Sequence, residues 1–204
     1  MDTFLNKGCE ECAMISRVYI SHAEQDEELA QELSRALWRV GLESYAAMYR
    51  LSPGISRAER VSFGIRNSEC FVALITKEGS ASATVSQEIG LARGIDLLVI
   101  PLLEEDAELP FLVEHSKPIT YSRSEFGDAI GKLIRTLRDL SSLDWLKVTC
   151  PNCGEEMTQY LTPQEDVDEA LQKDSCLETI CSYCQNKVSL DPRTFAPLLN
   201  EVAR

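Results

Sequence analysis

Two short runs of unbroken apolar residues, Cys70-Phe71-Val72-Ala73-Leu74-Ile75 and Leu97-Leu98-Val99-Ile100, bracket a segment in which Val85, Ile89 and Ala92 recur at helical spacing. A strand that is apolar at every position must be buried on both faces, and a parallel sheet covered by helices on both sides provides that burial. The same alternation extends in both directions. Val18-Tyr19-Ile20 reads as a strand, and Ser21-His22-Ala23-Glu24 reads as a helix cap with an acidic first turn. Leu29, Leu33, Leu37 and Val40 then follow helical spacing until Gly41 stops the helix. Residues 42–48 read as a weaker strand, followed by an irregular loop through Pro53 and Gly54. Helices are expected over 58–67, 80–93 and 124–140, with a last short strand over 118–121, and Pro101 is expected to end the 97–100 strand. Five strands alternating with helices imply an α/β fold with a doubly wound parallel sheet, whose ligands bind outside the carboxyl ends of the strands.

After about residue 143 the pattern changes. Cys150-Pro151-Asn152-Cys153 and Cys181-Ser182-Tyr183-Cys184 flank an acidic stretch, 159–173. Two such C-x-x-C turns present four thiolates, the donor set of a closed tetrahedral zinc site with no coordination position left for water. Cys150, Cys153, Cys181 and Cys184 are therefore expected to hold a structural Zn2+ in a small C-terminal zinc ribbon. A segment of that size has little core of its own, so the metal supplies what burial cannot. Cys176 is a competing ligand. A third pair, Cys9 and Cys12, has Glu10 and Glu11 between its thiols. Carboxylates there raise a thiol pKa and weaken a redox reading. Cys70 starts a buried strand and reads as a core thiol. The expected organisation is an N-terminal segment 1–14, an α/β domain 15–141, a zinc ribbon 146–190 and a tail 191–204.

Charge and length narrow the function classes. The 204 residues suffice for one ordinary domain with an appendage, or for two small domains. Lys plus Arg number 20 against 33 Asp plus Glu, a formal charge of −13 that argues against general nucleic-acid binding, at the ribbon as elsewhere. A protein contact or scaffold role is expected of the ribbon instead. No apolar run approaches the roughly 18 residues of a membrane span, and the first residues carry Asp2, Lys7, Glu10 and Glu11 rather than a leader. The expectation is a cytoplasmic protein with thiols reduced or metal-bound.

The first domain resembles the Toll/interleukin-1 receptor (TIR) family, and most closely its bacterial and archaeal members. The resemblance runs through Arg17-Val-Tyr-Ile-Ser21, His22 and Asp26, Gly41-Leu-Glu-Ser-Tyr45, Ser52-Pro-Gly54, Ile65-Arg-Asn-Ser68 and the strand after it. It continues through Ser82-Ala-Thr-Val85-Ser-Gln-Glu88-Ile-Gly-Leu-Ala92 to Val99-Ile-Pro-Leu102. It covers about residues 15–141, and the order and spacing of the motifs carry it. It implies a flavodoxin-like fold and cleavage of NAD+ between nicotinamide and ribose. The catalytic carboxylate is implied to be Glu88, on the helix after the third strand. Where many members carry a tryptophan four residues before the glutamate, this chain has Thr84.

One carboxylate suffices for that chemistry, because nicotinamide is bound as a pyridinium and departs neutral without an added proton. Water attack then gives ADP-ribose, and attack by a hydroxyl of the same molecule gives a cyclic isomer. Ser21 and His22, after the first strand, are expected to bind the pyrophosphate. Arg50 and Arg57, with Arg60, form the densest basic cluster in the chain, and Tyr49 offers a ring to a base. The resemblance also implies self-assembly through TIR–TIR contacts. Two alternatives stay open: a non-catalytic adaptor, and an enzyme like the nucleoside deoxyribosyltransferases, which also place a glutamate at a sugar carbon.

Overall fold

A computed structural model describes residues 15–46, 54–141 and 145–198. Its first part alternates strand and helix: β1 (Arg17–Ser21), α1 (Glu27–Arg39), β2 (Glu43–Tyr45), α2 (Arg57–Arg66), β3 (Cys70–Ile75), α3 (Ala83–Gly94), β4 (Leu98–Glu104), β5 (Ile119–Tyr121) and α4 (Phe126–Leu140). The five strands are all parallel in the order β2-β1-β3-β4-β5. This is the doubly wound flavodoxin-like topology, and its order reverses between β1 and β3.

The pleat sorts side chains onto two cores. Val18, Ile20, Val72, Leu74, Ile100 and Leu102 pack with α1 and α4, while Tyr19, Phe71, Ala73, Ile75 and Val99 pack with α2 and α3. Every residue of β3 is buried, as its unbroken apolar run requires. Gly41 ends α1 at φ 75°, a left-handed turn in which its N–H reaches the Trp38 carbonyl.

Three local expectations are corrected. Ser21 caps no helix. It ends β1, and a 3-10 turn at Glu24–Asp26 leads into α1 without a side-chain cap. Pro101 does not end its strand, since β4 runs on to Glu104. The ladder to β5 begins only at Leu102, so the missing N–H of Pro101 falls where β4 still has an open side. The helix expected over 80–93 starts later, at Ala83, because Ser82 caps it by accepting a hydrogen bond from the Val85 N–H at 3.4 Å.

The C-terminal part forms two antiparallel hairpins, β6 (Trp145–Thr149) with β7 (Glu156–Tyr160) and β8 (Leu177–Ile180) with β9 (Lys187–Leu190), joined through α5 (Gln164–Gln172). The hairpins do not stand apart. Leu146, Val148, Met157, Val188, Leu190 and Phe195 belong to the same apolar cluster as Leu133 and Leu137 of α4. Arg193 Nε pairs with Asp128 at 2.7 Å, Arg135 Nη1 donates to the Thr162 carbonyl at 3.2 Å, and the Arg135 guanidinium lies 4.8 Å from the Phe195 ring centroid. The core that the cysteine-bearing segment lacks by itself is thus borrowed from α4. Among the described residues, no helix is long and apolar enough to cross a membrane.

Candidate active site and metal centre

α3 buries Val85, Ile89 and Ala92 against the sheet, and Glu88, between the first two, lies at the edge of that stripe. The fold draws it in further than the helical pattern requires, to 7% exposure. It lies beside β1, where Tyr19 and Ser21 project from the same side of the pleat. Burial pushes the Glu88 carboxyl above the ordinary range. The Ser21 hydroxyl, the Tyr19 phenol and the Arg57 charge oppose that rise without cancelling it. Ser21 Oγ is buried and makes no hydrogen bond of ordinary geometry, so it stands beside the carboxyl as an unsatisfied polar group.

A cleft of about 410 Å3 opens over Glu88 between α2 and α3, lined by Arg57, Ala58, Val61, Thr84, Gln87, Glu88 and Leu91. α2 begins with a reciprocal cap in which Ser56 Oγ accepts from the Glu59 N–H at 3.2 Å and the Glu59 carboxylate accepts from the Ser56 N–H at 2.8 Å. That cap sets Arg57 at the mouth of the cleft. Beneath it, Tyr45, Tyr19 and Phe71 are register partners on adjacent strands and form a stacked row, with ring centroids 5.9 and 5.3 Å apart. α2 can approach this row because residue 64 is glycine; a Cβ there would lie 2.2 Å from the Tyr45 ring.

Glu88, Arg57 and Thr84 therefore line one cleft, with Ser21 against the carboxyl. His22 is buried and does not line the cleft; burial lowers its pKa, which favours a neutral ring over a phosphate-binding cation. Arg60, the third arginine of the expected cluster, does not line it either. Tyr49 and Arg50 lie outside the described residues. Sequence reasoning missed Tyr19 and Gln87. For Tyr19 the available signal was the two-residue period of β1, which puts it on the face of Ser21.

The loop before α3 is tied from three strand ends. Thr76 Oγ1 donates to Asp26 Oδ2 at 2.8 Å and accepts from the Gly79 N–H at 2.8 Å. Glu104 Oε2 accepts from the Lys77 N–H at 2.9 Å, and Arg123 bridges Glu104 at 2.7 Å and Glu78 at 2.5 Å. A larger cavity, about 490 Å3, lies along α1 between acidic side chains, Arg35 and Arg123; none of the expected site residues lines it.

The four cysteines of the second part meet. Their sulfurs lie within 4.8 Å of one another, with Cys150 to Cys184 and Cys153 to Cys181 both at 3.8 Å. A tetrahedron of sulfurs about 2.3 Å from a central ion has edges of about 3.8 Å, so the spacing can hold a metal ion. Cys176 is not part of the cluster. The backbone N–H of Cys184, aided by that of Tyr183, brings the Cys181 thiol down to about 7. The Glu155 N–H favours the Cys153 thiolate too, yet partial desolvation and the neighbouring sulfurs push that exposed thiol up to about 12. Four thiolates at this spacing would repel one another, a charge that a bound cation would offset.

Residues 18–134, more than half of the chain, match the family model of the TIR domain. The chain belongs to the TIR-domain family. Among solved structures, the TIR domain of the Toll-related receptor TRR-2 from Hydra magnipapillata aligns at TM-score 0.51 and 21% identity, covering 59% of this chain and 97% of that one. The TIR domains of the activated Roq1 resistosome, which directly recognises the pathogen effector XopQ, align at TM-score 0.51 and 13% identity, covering 60% and 99%. Both likenesses concern the fold. No curated protein matches the sequence. The TIR match stops within α4, so the hairpins and the cysteine cluster lie beyond the matched residues.

Proposed function

We propose that the TIR domain cleaves the nicotinamide–ribose bond of NAD+, with Glu88 as the catalytic carboxylate. The observation that supports this reading best is a buried carboxyl in the wall of a cleft that Arg57 lines with its cation. In the reaction, nicotinamide leaves with the electron pair of the C–N bond and is neutral. The Glu88 carboxylate stabilises the positive charge that develops on the ribose carbon, and water, or a hydroxyl of the same molecule, adds there and releases a proton. Arg57 faces the anionic phosphates, Thr84 and Ser21 offer hydroxyls near the sugar, and Tyr49 and Arg50 are the further substrate-binding residues expected, while His22, buried beside the cleft, makes no direct phosphate contact in this reading. An elevated carboxyl pKa brings the Glu88 titration closer to working pH.

Cys150, Cys153, Cys181 and Cys184 are read as ligands of a structural Zn2+, because all four donors are sulfur and the spacing fits a closed tetrahedron. The metal would stiffen a ribbon spanning 146–190, and residues 191–198 fasten it to α4 through Arg193 and Phe195. Ile55, Phe63, Phe111 and Leu112, with Trp38, Leu98 and Leu140, are the exposed large apolar side chains of the described α/β part, and they are the candidates for TIR–TIR self-assembly.

The deciding experiment is product analysis of NAD+ incubated with the wild type and with Glu88→Gln over a range of protein concentrations. Nicotinamide release by the wild type and its loss in a folded Glu88→Gln variant are expected, a fall of about 100-fold or more. Equal turnover in the variant would remove Glu88 from the mechanism. No release at any concentration would favour the adaptor reading, and release of bases from deoxynucleosides instead would favour the deoxyribosyltransferase-like one.

A further inference from the structure

The aromatic row beneath the cleft has a polar member whose hydroxyl the packing does not require. Tyr45, at the edge of the row, donates its hydroxyl to the Arg60 carbonyl of α2 at 3.3 Å, and Phe71, at the other end, has none. Tyr19 between them is 1% exposed and packs in one cluster with Val85 and Ile89, the residues of α3 on either side of Glu88. A phenylalanine would fill the same stack. Tyr19 lies on the Ser21 face of β1, packed on the turn of α3 that carries Glu88, which brings the phenol and the carboxyl into one buried neighbourhood. Burial and the neighbouring carboxylate push the phenol far above its usual range, so it stays protonated and can act only as a donor toward Glu88.

We propose that Tyr19 is the positioning residue for Glu88: its phenolic hydroxyl donates to the carboxylate, fixes its orientation at the cleft wall and supports its charge in a buried setting. The proposal rests on the reading of Glu88 as the carboxylate that acts on the glycosidic bond. A hydroxyl held by a three-ring stack across β2, β1 and β3 needs little reorganisation when charge develops on the substrate, which is what preorganised stabilisation demands. The groups facing Glu88 are Tyr19 and Ser21 from β1 and Arg57 from α2; Tyr45 of β2 acts on Tyr19, and His22 lies in the field of the same Arg57. Removing the Tyr19 hydroxyl leaves one fewer donor to the charged form, so the carboxyl pKa must rise.

The test is Tyr19→Phe in the full chain, with Tyr45→Phe as the companion that deletes the other hydroxyl of the row. The Glu88 carboxyl is titrated by carbon NMR with labelled glutamate, which needs no turnover, and nicotinamide release is followed from about pH 4 to 9. In Tyr19→Phe the Glu88 titration and the acid limb of kcat/KM are expected to move up together by about 0.5–1 unit. Its kcat should fall about 3- to 10-fold with KM little changed. Tyr45→Phe should leave the limb in place. An unmoved Glu88 titration in Tyr19→Phe overturns the proposal, and so does an equal shift in both variants. If the wild type releases no nicotinamide, the functional reading fails, while the NMR titration still decides whether Tyr19 serves Glu88.

Discussion

Two glycines four residues apart on α4 should respond to the same substitution with opposite signs. A Cβ at Gly131 would lie 2.0 Å from the Arg193 carbonyl oxygen and 2.9 Å from its carbon. Ordinary contact begins at 3.4 Å, so the backbone at Arg193 would have to retreat by about 1.4 Å. Such a retreat pulls on the Asp128–Arg193 pair and on Phe195, which is fully buried under Arg135. Overpacking against backbone costs about 1–3 kcal/mol, and the half-exposed ion pair adds no more than about 0.5. The gain in helix propensity from glycine to alanine returns up to about 1 kcal/mol. Gly131→Ala is therefore expected to destabilise by about 1–2 kcal/mol, lowering Tm by about 2–4 °C for each kcal/mol. At Gly127 the nearest atom to an added Cβ is the end of a flexible side chain, Arg193 Cδ at 3.5 Å. Gly127→Ala should keep its propensity gain and raise stability by about 0.5 kcal/mol. Denaturant and thermal unfolding of both variants measure this. A Gly131→Ala protein at least as stable as Gly127→Ala would refute the docking of residues 191–196 on α4.

Two further outcomes follow from Glu88 and from the sulfur cluster. The folded-state pKa of Glu88 is raised, so its contribution is fully present below the unfolded value and is lost as pH rises through the folded one. Glu88→Gln should thus exceed the wild type in stability near pH 7 by about 1 kcal/mol, and the advantage should vanish as the pH falls through the acid range; a difference constant from acid to neutral pH would contradict it. At the sulfur cluster, Cys153 is exposed and contributes little to the core, so Cys153→Ser tests the metal rather than the packing. The wild type should carry one zinc per chain and gain about 2.7 kcal/mol when free zinc reaches about 100 times its Kd; the variant should lose most of that gain, read by metal content and Tm.

The backbone of the fold was legible because its signals are local. An unbroken apolar run such as 70–75 can be satisfied only by burial on both faces, and the helical spacing of Leu29, Leu33 and Leu37 admits one face toward a sheet. Element ends were less legible. Pro101 stays inside β4 because of where β5 starts pairing, a fact about a strand 18 residues away. The candidate site shows the same division. The family resemblance pointed to Glu88 and Thr84 and the basic cluster to Arg57, and all three line one cleft, but the helical pattern alone placed Glu88 at a border. Its near-complete burial follows from the approach of α3 to β1.

Sequence by itself determined the donor chemistry and the alternation: four cysteines in two C-x-x-C turns, and five strands among helices, since both depend on residue types at fixed short spacings. Tertiary structure decided which groups share an environment. It set Tyr19 in a ring stack packed on the turn of α3 that carries Glu88, and it left His22 buried beside the cleft rather than in it. It also joined the C-terminal hairpins to α4, because only the packed helix presents Asp128, Gly131 and Arg135 on one face to receive Arg193 and Phe195. The physical reason is that desolvation and contact distance are properties of pairs remote in the chain, and no local period encodes them.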